Sequence, residues 1–391
     1  MNTIAVITGL ALLAITMRLF KNITLSLVIA IATIGIILFV PLNTYFISFS
    51  TTISDWEFWK VIITIFSIYL LGETMSKSGD SKRFTSAIKE IFPNPKVSIS
   101  LMPALIGLLP MPGGAMFSAP MVKDISEDTP NISSKDALAT NYWFRHSMEY
   151  FWPLYPAIII VASMANVSLR SIVIYMLPVG LAAIITGYLL LIRSIPKVKI
   201  EKSSLLQLAL SSWPIIVVII FVILNQPGWL VVLLTSVTYL LTKRNKTGAL
   251  KGILNKWKTF ILLLAVFFFK AFVESTKVHD FMSEELINWA IPTLLVMMVL
   301  PFIMGQMTGI TQGAVGLSFP LVMSMTPDGS GLSVAILAYT FAVAGVLLSP
   351  VHLCVVLTVN YFRESYSALV KRIILPLSVA TLTGVLVFMY I

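Results

Sequence analysis

The densest group of side chains that could do chemistry lies inside one apolar stretch, between residues 141 and 156. Arg145 and Glu149 are four residues apart and His146 and Glu149 are three apart, so on a helix one carboxylate can pair with either cation. Ionisable groups inside a membrane-spanning segment are costly and usually face a transport pathway. The pattern therefore predicts that Arg145, together with Asn141, binds an anionic substrate and that Glu149 or His146 exchanges a proton.

A simpler interpretation exists for Arg145, which lies near one end of its stretch and could extend its guanidinium to the membrane surface. The C-terminal half carries a comparable proline-broken segment over residues 349–354, with His352 inside it. His352 is a second candidate proton carrier, and donation to a neighbouring carbonyl is the alternative.

Two other apolar stretches, 97–122 and 287–323, are interrupted near their middle by glycine, proline and small polar residues. Broken backbone in a membrane is costly unless its freed amides and carbonyls line a cavity or bind something, so each stretch predicts a re-entrant hairpin. The predicted tip residues are Pro112, Gly113, Gly114, Ala115 and Ser118 in the first hairpin, and Thr308, Thr311, Gln312, Gly313 and Ser318 in the second. The first tip would present amides to an anion, and the second tip would bind a coupling cation, with Thr308 among its oxygens, or complete the substrate site through Thr311, Gln312, Gly313 and Ser318. Tight helix packing through small residues is the alternative.

The composition indicates which kind of structural element holds these residues in place. Of 391 residues, 58% are hydrophobic and 11% are charged, so lipid must be the main solvent. The apolar runs are continuous rather than alternating, which predicts an all-α membrane protein. The net charge of +10 is distributed over short loops instead of one patch, so no nucleic-acid partner is expected. The single cysteine, Cys354, excludes a disulfide framework, and neither a metal nor a cofactor is expected beyond a bound sodium ion or a coupled proton.

Apolar stretches near the length that spans a bilayer predict about ten crossings. They lie at 4–17, 23–40, 59–76, 138–164, 170–192, 206–224, 228–242, 259–275, 332–358 and 373–390. When the intervening loops are assigned alternately to the two sides, most of the 27 basic residues fall on one side. The positive-inside rule then predicts a multi-pass protein of the plasma membrane with both termini outside.

Weak self-similarity at an offset of 200 residues relates the two interrupted stretches. Gly113, Ser118 and Pro120 recur as Gly313, Ser318 and Pro320. The register drifts slightly, so that Thr186-Gly187 pairs with Thr383-Gly384 near the ends of the halves. An odd number of crossings in each half inverts the second half relative to the first. We therefore predict two inverted-topology repeats, 1–200 with a broken helix at 138–164 and 201–391 with a broken helix at 332–358.

An enzymatic role is not expected, because the sequence contains no His-Glu-x-x-His, Gly-x-Ser-x-Gly, Gly-Lys-Ser/Thr or Cys-x-x-Cys motif. It also contains no ATPase motif, so uphill transport would depend on an ion gradient. The leading hypothesis is a proton- or sodium-coupled permease for a small anion, most simply a carboxylate, and the alternative is a cation–proton antiporter.

The segments 109–116, 141–146 and 149–156 resemble an uncharacterised prokaryotic branch of the ion transporter superfamily, a branch that carries a domain-of-unknown-function name. The resemblance covers nearly the whole chain. It implies two inverted repeats, each with a re-entrant hairpin and a broken helix, and organic or inorganic anions as cargo. Carriers of this plan resemble dimers, which makes a homodimer the expected assembly. The tips read Pro-Gly-Gly and Thr-Gln-Gly where dicarboxylate carriers have a Ser-Asn-Thr sodium motif, so the resemblance does not extend to that motif.

Overall fold

The computed structural model describes residues 2–20, 22–92, 94–108, 114–127, 132–192, 202–243, 246–327 and 329–391. In these ranges the secondary structure is helical throughout, with twenty α-helices, so the predicted all-α class is confirmed. The first ten are α1 Asn2–Phe20, α2 Ile23–Ile37, α3 Leu42–Ser54, α4 Trp56–Ser78, α5 Asp80–Ile91, α6 Pro95–Gly107, α7 Gly114–Glu127, α8 Ser134–Ser147, α9 Pro156–Met164 and α10 Leu169–Gly187. The second ten are α11 Lys202–Ile223, α12 Gly228–Leu241, α13 Lys246–Leu254, α14 Trp257–Thr276, α15 Val278–Asn288, α16 Thr293–Thr308, α17 Thr311–Ser324, α18 Gly331–Leu347, α19 Leu353–Phe362 and α20 Tyr366–Tyr390.

Six of the described helices are long and apolar enough to cross a bilayer: α1, α4, α10 with its π-helical continuation to Ile192, α11, α14 and α20. Two other predicted crossings are the shorter apolar helices α2 and α12. The remaining two predicted crossings are divided, one into α8 and α9 and the other into α18 and α19. The chain is therefore a multi-pass membrane protein.

Four helices lie where the sequence patterns predicted no crossing, namely α3, α5, α13 and α15. Helix α5 is amphipathic, with Phe84 and Ile91 buried among its charged residues. Its first residue, Asp80, accepts a hydrogen bond from the Tyr239 hydroxyl at 2.6 Å and lies 2.5 Å from Lys243 Nζ. Burial alone would raise the pKa of Asp80, but the hydrogen bonds from Lys243 and Tyr239 and the charge of Lys243 lower it. This contact attaches α5 to the end of α12.

Two pairs of short helices pack against each other, α6 with α7 and α16 with α17. The first helix of each pair also approaches a divided apolar segment at a glycine: α6 approaches α8, and α16 approaches α18. A Cβ atom on Gly107 would lie 2.6 Å from the Arg145 carbonyl oxygen, and one on Gly305 would lie 2.5 Å from the Ala342 carbonyl oxygen. Because backbone atoms cannot move aside, only glycine fits these two positions.

Prolines account for the two divided helices. Helix α8 ends at Ser147, a 3₁₀ turn follows at Met148–Tyr150, and Pro156 begins α9. Proline lacks an amide hydrogen and is tolerated at the first turn of a helix, so a new helix begins there. Helix α18 ends at Leu347 and α19 begins at Leu353, with Pro350 between them. We call residues 148–155 the first break and residues 348–352 the second break.

The two breaks are held by reciprocal hydrogen bonds. Tyr142 of α8 donates through its hydroxyl to the Leu347 carbonyl at 2.9 Å, next to the second break. Tyr339 of α18 lies 197 positions after Tyr142 and donates to the Glu149 carbonyl in the first break at 2.6 Å. Each divided helix therefore fixes the break of the other.

Two further pairs of contacts recur at nearly the same offset. Trp152 in the first break donates from Nε1 to the Leu108 carbonyl at 3.0 Å, and Ser349 in the second break donates from Oγ to the Gln306 carbonyl at 2.6 Å. Near the ends of the halves, a Cβ atom on Gly187 would lie 2.3 Å from Trp143, and one on Gly384 would lie 2.5 Å from Thr340. Helices α10 and α20 thus approach α8 and α18 in the same manner.

Candidate functional site

A cavity of about 1080 Å³ lies where the two breaks, the turn between α16 and α17, and helices α1, α4 and α14 meet. Half of its 26 lining residues are apolar. The lining side chains that bear charge, an imidazole or a thiol are Arg18, Arg145, His146, Glu149, His352 and Cys354. Both breaks supply members of this group, which the sequence separates by about 200 positions.

Arg145 is positioned by the last turn of α8 and by the start of α9. Its side chain is 5% exposed and donates from Nη1 to the hydroxyl of Tyr155 at 2.5 Å. Tyr155 immediately precedes Pro156, so the proline that begins α9 also sets the position of this hydroxyl. The guanidinium is buried in the cavity wall, which disfavours the interpretation that it extends to the membrane surface.

Glu149 lies in the 3₁₀ turn of the first break and is 7% exposed. Its Oε2 atom accepts a hydrogen bond from Thr311 Oγ1 at 2.9 Å, and its Oε1 atom lies 4.0 Å from His146 Nε2. Thr311 is the first residue of α17, the second helix of the second hairpin. The carboxylate therefore links the first break to the tip of the second hairpin.

The two histidines contact each other across the halves. Their Nε2 atoms are 3.0 Å apart. His146 Nδ1 lies 2.6 Å from the Tyr142 carbonyl oxygen, and His352 Nδ1 lies 2.6 Å from the Gly309 carbonyl oxygen. A carbonyl oxygen only accepts hydrogen bonds, so each Nδ1 carries the hydrogen.

The backbone at Gly309 allows this arrangement. Gly309 ends α16 with a φ of 61°, in the left-handed region. A Cβ atom there would lie 2.8 Å from the amide nitrogen of His352. Both the left-handed conformation and the close approach require glycine at this position. They bring the Gly309 carbonyl within reach of the His352 ring.

His146, His352 and Cys354 offer donor atoms that all lie within 4.8 Å of one another, a set that would suit a soft metal ion. Two nitrogen ligands on one tetrahedral zinc ion are about 3.3 Å apart, given bonds of about 2.0–2.1 Å. The Nε2 atoms are closer than that, at 3.0 Å. The observed ring placement therefore does not fit a zinc ion held between the imidazoles.

The structure brings together seven of the residues that the sequence predicted, all lining the cavity: Arg145, His146, Glu149, Thr308, Thr311, Gln312 and His352. Four predicted residues do not line it. Asn141 and Ser118 are buried within α8 and α7, Ser318 donates to the Ala314 carbonyl within α17, and Gly313 packs against Ile23.

The predicted contacts at the first hairpin tip are not described. Pro112 and Gly113 lie outside the described residues, and Gly114 and Ala115 are described only as the first residues of α7. The prediction that this tip binds an anion therefore stays a prediction.

Sequence reasoning missed Tyr155, Gly309 and Arg18 as residues of this site. Tyr155 stands beside Pro156 in the polar and aromatic run, and a tyrosine next to a helix break is a usable signal. Gly309 is one of several glycines in the second tip, and nothing in the sequence distinguishes it. Arg18 lies at the end of the first apolar stretch, far from the other site residues in the chain.

The described helices and the buried ionisable cluster define a multi-pass membrane protein with an internal cavity. Its fold is similar to the crystal structure of the Alcanivorax borkumensis YdaH transporter, with a TM-score of 0.62 and 12% sequence identity, over 90% of this chain and 89% of that chain. None of the curated proteins compared with the sequence matches it.

Residues 3–391 match the family described as protein of unknown function DUF401, and the chain belongs to that family. The predicted resemblance to a membrane-protein branch with a domain-of-unknown-function name is thereby confirmed.

Proposed function

We propose that this protein is a secondary active transporter that moves a small anion, most simply a carboxylate, coupled to a proton or sodium gradient. The observation that carries the proposal is the cavity between the two breaks, with Arg145 and Glu149 buried in its wall. Buried ionisable groups facing a cavity are expected on a transport pathway. The similarity to the fold of a transporter supports a carrier rather than an enzyme.

The charges around the cavity favour an anion. Arg18 and Arg145 are two cations against the single carboxylate of Glu149. Helix α17 begins at Thr311, and the positive end of its dipole faces the same space through Thr311 and Gln312. A planar guanidinium also matches a carboxylate, which it can bind through two parallel hydrogen bonds.

Alternating access is supported by the matched contacts of the two halves. The reciprocal tyrosine bonds, the bonds from each break to the end of a hairpin helix, and the paired glycines recur at offsets of 197–198 residues. We infer two inverted repeats, 1–200 and 201–391, with about ten crossings and re-entrant hairpins at 97–122 and 287–323. The same proposal includes a plasma-membrane location, termini on the outside and a homodimer.

Coupling is assigned to the groups beside the cavity that can bind a proton or a cation. Glu149, His146 and His352 can bind protons. Thr308 Oγ1 donates to the Met304 carbonyl at 2.7 Å and accepts a hydrogen bond from the Ile310 amide at 3.4 Å, which leaves one lone pair as an acceptor at the second tip. The oxygens of Glu149 and Thr311 meet at the same tip and favour a second candidate, a cation–proton antiporter.

Ligand-dependent stabilisation of the purified protein tests the proposal. We expect one class of small carboxylate or inorganic oxyanion to raise the unfolding temperature in a concentration-dependent way, because a ligand that binds only the folded state stabilises it. The stabilising compound is then tested as a labelled substrate in proteoliposomes. Stabilisation by sodium or another cation alone, with no response to any anion, would replace the anion proposal with the antiporter.

A further inference from the structure

The hydrogens of the two buried histidines can be assigned from their surroundings. Both Nδ1 atoms face carbonyl oxygens at 2.6 Å, so both rings carry a hydrogen on Nδ1. A neutral imidazole carries a hydrogen on only one of its two nitrogens, so each Nε2 keeps a lone pair. Those two atoms are 3.0 Å apart, and two facing lone pairs at that distance would repel each other. An additional positive species is needed between them.

We propose that His146 and His352 together bind one proton, held between their Nε2 atoms in a single N–H···N hydrogen bond. The separation of 3.0 Å is an ordinary donor–acceptor distance for such a bond. One ring becomes an imidazolium with hydrogens on both nitrogens, and the other stays neutral and accepts. The proton is delivered as hydronium by water that enters the cavity, which both rings line, and it returns to that water on release.

The surrounding charges partly compensate for the cost of this buried positive charge. Glu149 Oε1 lies 4.0 Å from His146 Nε2 and provides a negative charge from the 3₁₀ turn. Arg145 on α8 and Arg18 on α1 line the same cavity and act against protonation. The other ionisable groups on this cavity or against the rings are Tyr142 on α8, Tyr155 beside α9, Cys354 on α19 and Tyr69 on α4.

The proton has a mechanical consequence, because the rings belong to different halves. His146 is in the last turn of α8 beside the first break, and His352 lies in the second break. With the proton present, a hydrogen bond joins the two. When it leaves, the facing lone pairs repel, the rings separate, and this direct contact between the two breaks is lost. The proton-loaded pair therefore favours the conformation described here, and proton release favours another.

This inference deepens the proposed function by assigning the proton as a coupling ion and this pair as its site. Only the consequence for transport rests on that function. The pair itself is testable in purified protein without any flux, so the two failures are distinguishable. If the liposomes showed no flux while the two histidines still shared a proton, only the transport proposal would be contradicted.

Nitrogen NMR on protein labelled with ¹⁵N-histidine, in lipid nanodiscs, tests the shared proton. The chain has three histidines, and His279→Asn leaves only the pair. Across a pH titration we expect an acidic plateau with a through-bond coupling between the two Nε2 atoms, and a single proton lost per chain as the coupling disappears. Both Nδ1 signals should stay protonated throughout.

Several results would overturn the proposal. One is an absence of Nε2 coupling at every pH in protein that is folded by circular dichroism. Another is the titration of two independent protons. A third is a metal ion that copurifies at one per chain by elemental analysis and whose removal changes both Nε2 signals. His352→Asn is expected to abolish the coupling, but the decisive spectrum comes from protein that retains both rings, so misfolding of this variant does not affect the test.

Discussion

The two breaks share a scaffold but not a chemistry. Each is fixed by a tyrosine from the opposite divided helix, and each donates a hydrogen bond to the end of a hairpin helix. The first break and the turn before it carry Arg145, His146 and Glu149, whereas the second carries His352 as its one ionisable side chain. The two breaks therefore share their hydrogen-bonded support, while the ionisable side chains are concentrated at the first.

Electrostatics gives a reason for the asymmetry. Each buried charge loses hydration, a cost of several kcal/mol that neighbouring charges must offset. A second copy of the Arg145 and Glu149 pair at the same cavity would repeat that cost. The second half instead supplies neutral donors and acceptors, such as Thr311, and one imidazole. Substitutions at the two breaks and in the helices around them test this division.

Removing the buried cation should have the largest effect. Arg145→Gln keeps a polar side chain but deletes the charge that we assign to anion binding. Loss of a charge-assisted hydrogen bond costs about 1.5–3 kcal/mol, so we expect the apparent affinity for the transported anion to fall by roughly 10–100-fold. Concentration-dependent uptake into proteoliposomes measures this. The control is Arg170→Gln, which alters an exposed arginine at the start of α10. Equal losses in both variants would contradict a binding role for Arg145.

Adding a methyl group at Gly309 should destabilise the second break. Gly309→Ala combines a positive φ with a Cβ atom 2.8 Å from the His352 amide nitrogen, while Gly79→Ala has a similar positive φ with no atom within 4 Å of the added Cβ. The left-handed conformation costs a non-glycine residue about 1–3 kcal/mol in either case. We expect Gly309→Ala to lower the unfolding temperature clearly more than Gly79→Ala. Equal shifts would show that the close approach to His352 does not constrain the protein.

The reciprocal tyrosines test the symmetry of the scaffold. Tyr142→Phe and Tyr339→Phe each remove one hydroxyl that donates to a buried carbonyl in or beside the opposite break. Each should cost about 1–3 kcal/mol of stability, because the buried carbonyl loses a hydrogen bond that water cannot readily replace. Denaturation of both variants in the same detergent should give similar shifts. A large effect for only one tyrosine would show that the breaks are not mechanically equivalent.

The smallest effect is expected at the start of α8, where Asp136 accepts a hydrogen bond from Arg372 Nε of α20 at 2.7 Å. Burial alone would raise the pKa of Asp136, but hydrogen bonds from Ser133 and Arg372 and the charge of Arg372 lower it. A lowered pKa stabilises the fold above the unfolded value of about 3.9 and loses that contribution as pH falls through the folded value. For these partly exposed side chains, Asp136→Asn should cost about 1 kcal/mol or less at neutral pH.

Unfolding temperatures of the wild type and Asp136→Asn, compared at neutral pH and near pH 3, measure this contribution. The difference in unfolding temperature should shrink as the pH falls, because protonation removes from wild-type Asp136 the charge that the asparagine variant already lacks. A constant difference at both pH values would contradict the ion pair. The position matched to Asp136 at the start of α18 is Ser333, an uncharged residue that donates to the Ser330 carbonyl at 3.0 Å, so this position offers no ion pair.

Much of the helical architecture could be predicted from local signals. Continuous apolar stretches predicted the long helices, and the prolines at 153, 156 and 350 marked where two of them divide. Helices α3 and α5 gave no such signal, because α3 is short and moderately polar and α5 is amphipathic. Their position depends on packing against other helices, which hydropathy does not encode.

The site could be predicted only in part. The spacing of Arg145, His146 and Glu149 identified the first break, since all three lie within two helical turns. The partners of these residues are distant in sequence: His352 lies 206 positions from His146, and Thr311 lies 162 positions from Glu149. Such contacts arise from the way the halves pack together, so no local pattern could indicate that the two candidate proton carriers form one pair.

The proposed function depends most directly on proton-coupled movement of an anion through the cavity. The decisive measurement is the collapse of an imposed pH gradient in proteoliposomes on addition of the anion that stabilises the protein. The wild type and a Glu57→Gln control, altered at an exposed helix end, should dissipate the gradient in an anion-dependent manner, and Glu149→Gln should not. Full anion-dependent dissipation in Glu149→Gln, or dissipation that requires sodium and no anion in the wild type, would contradict the account.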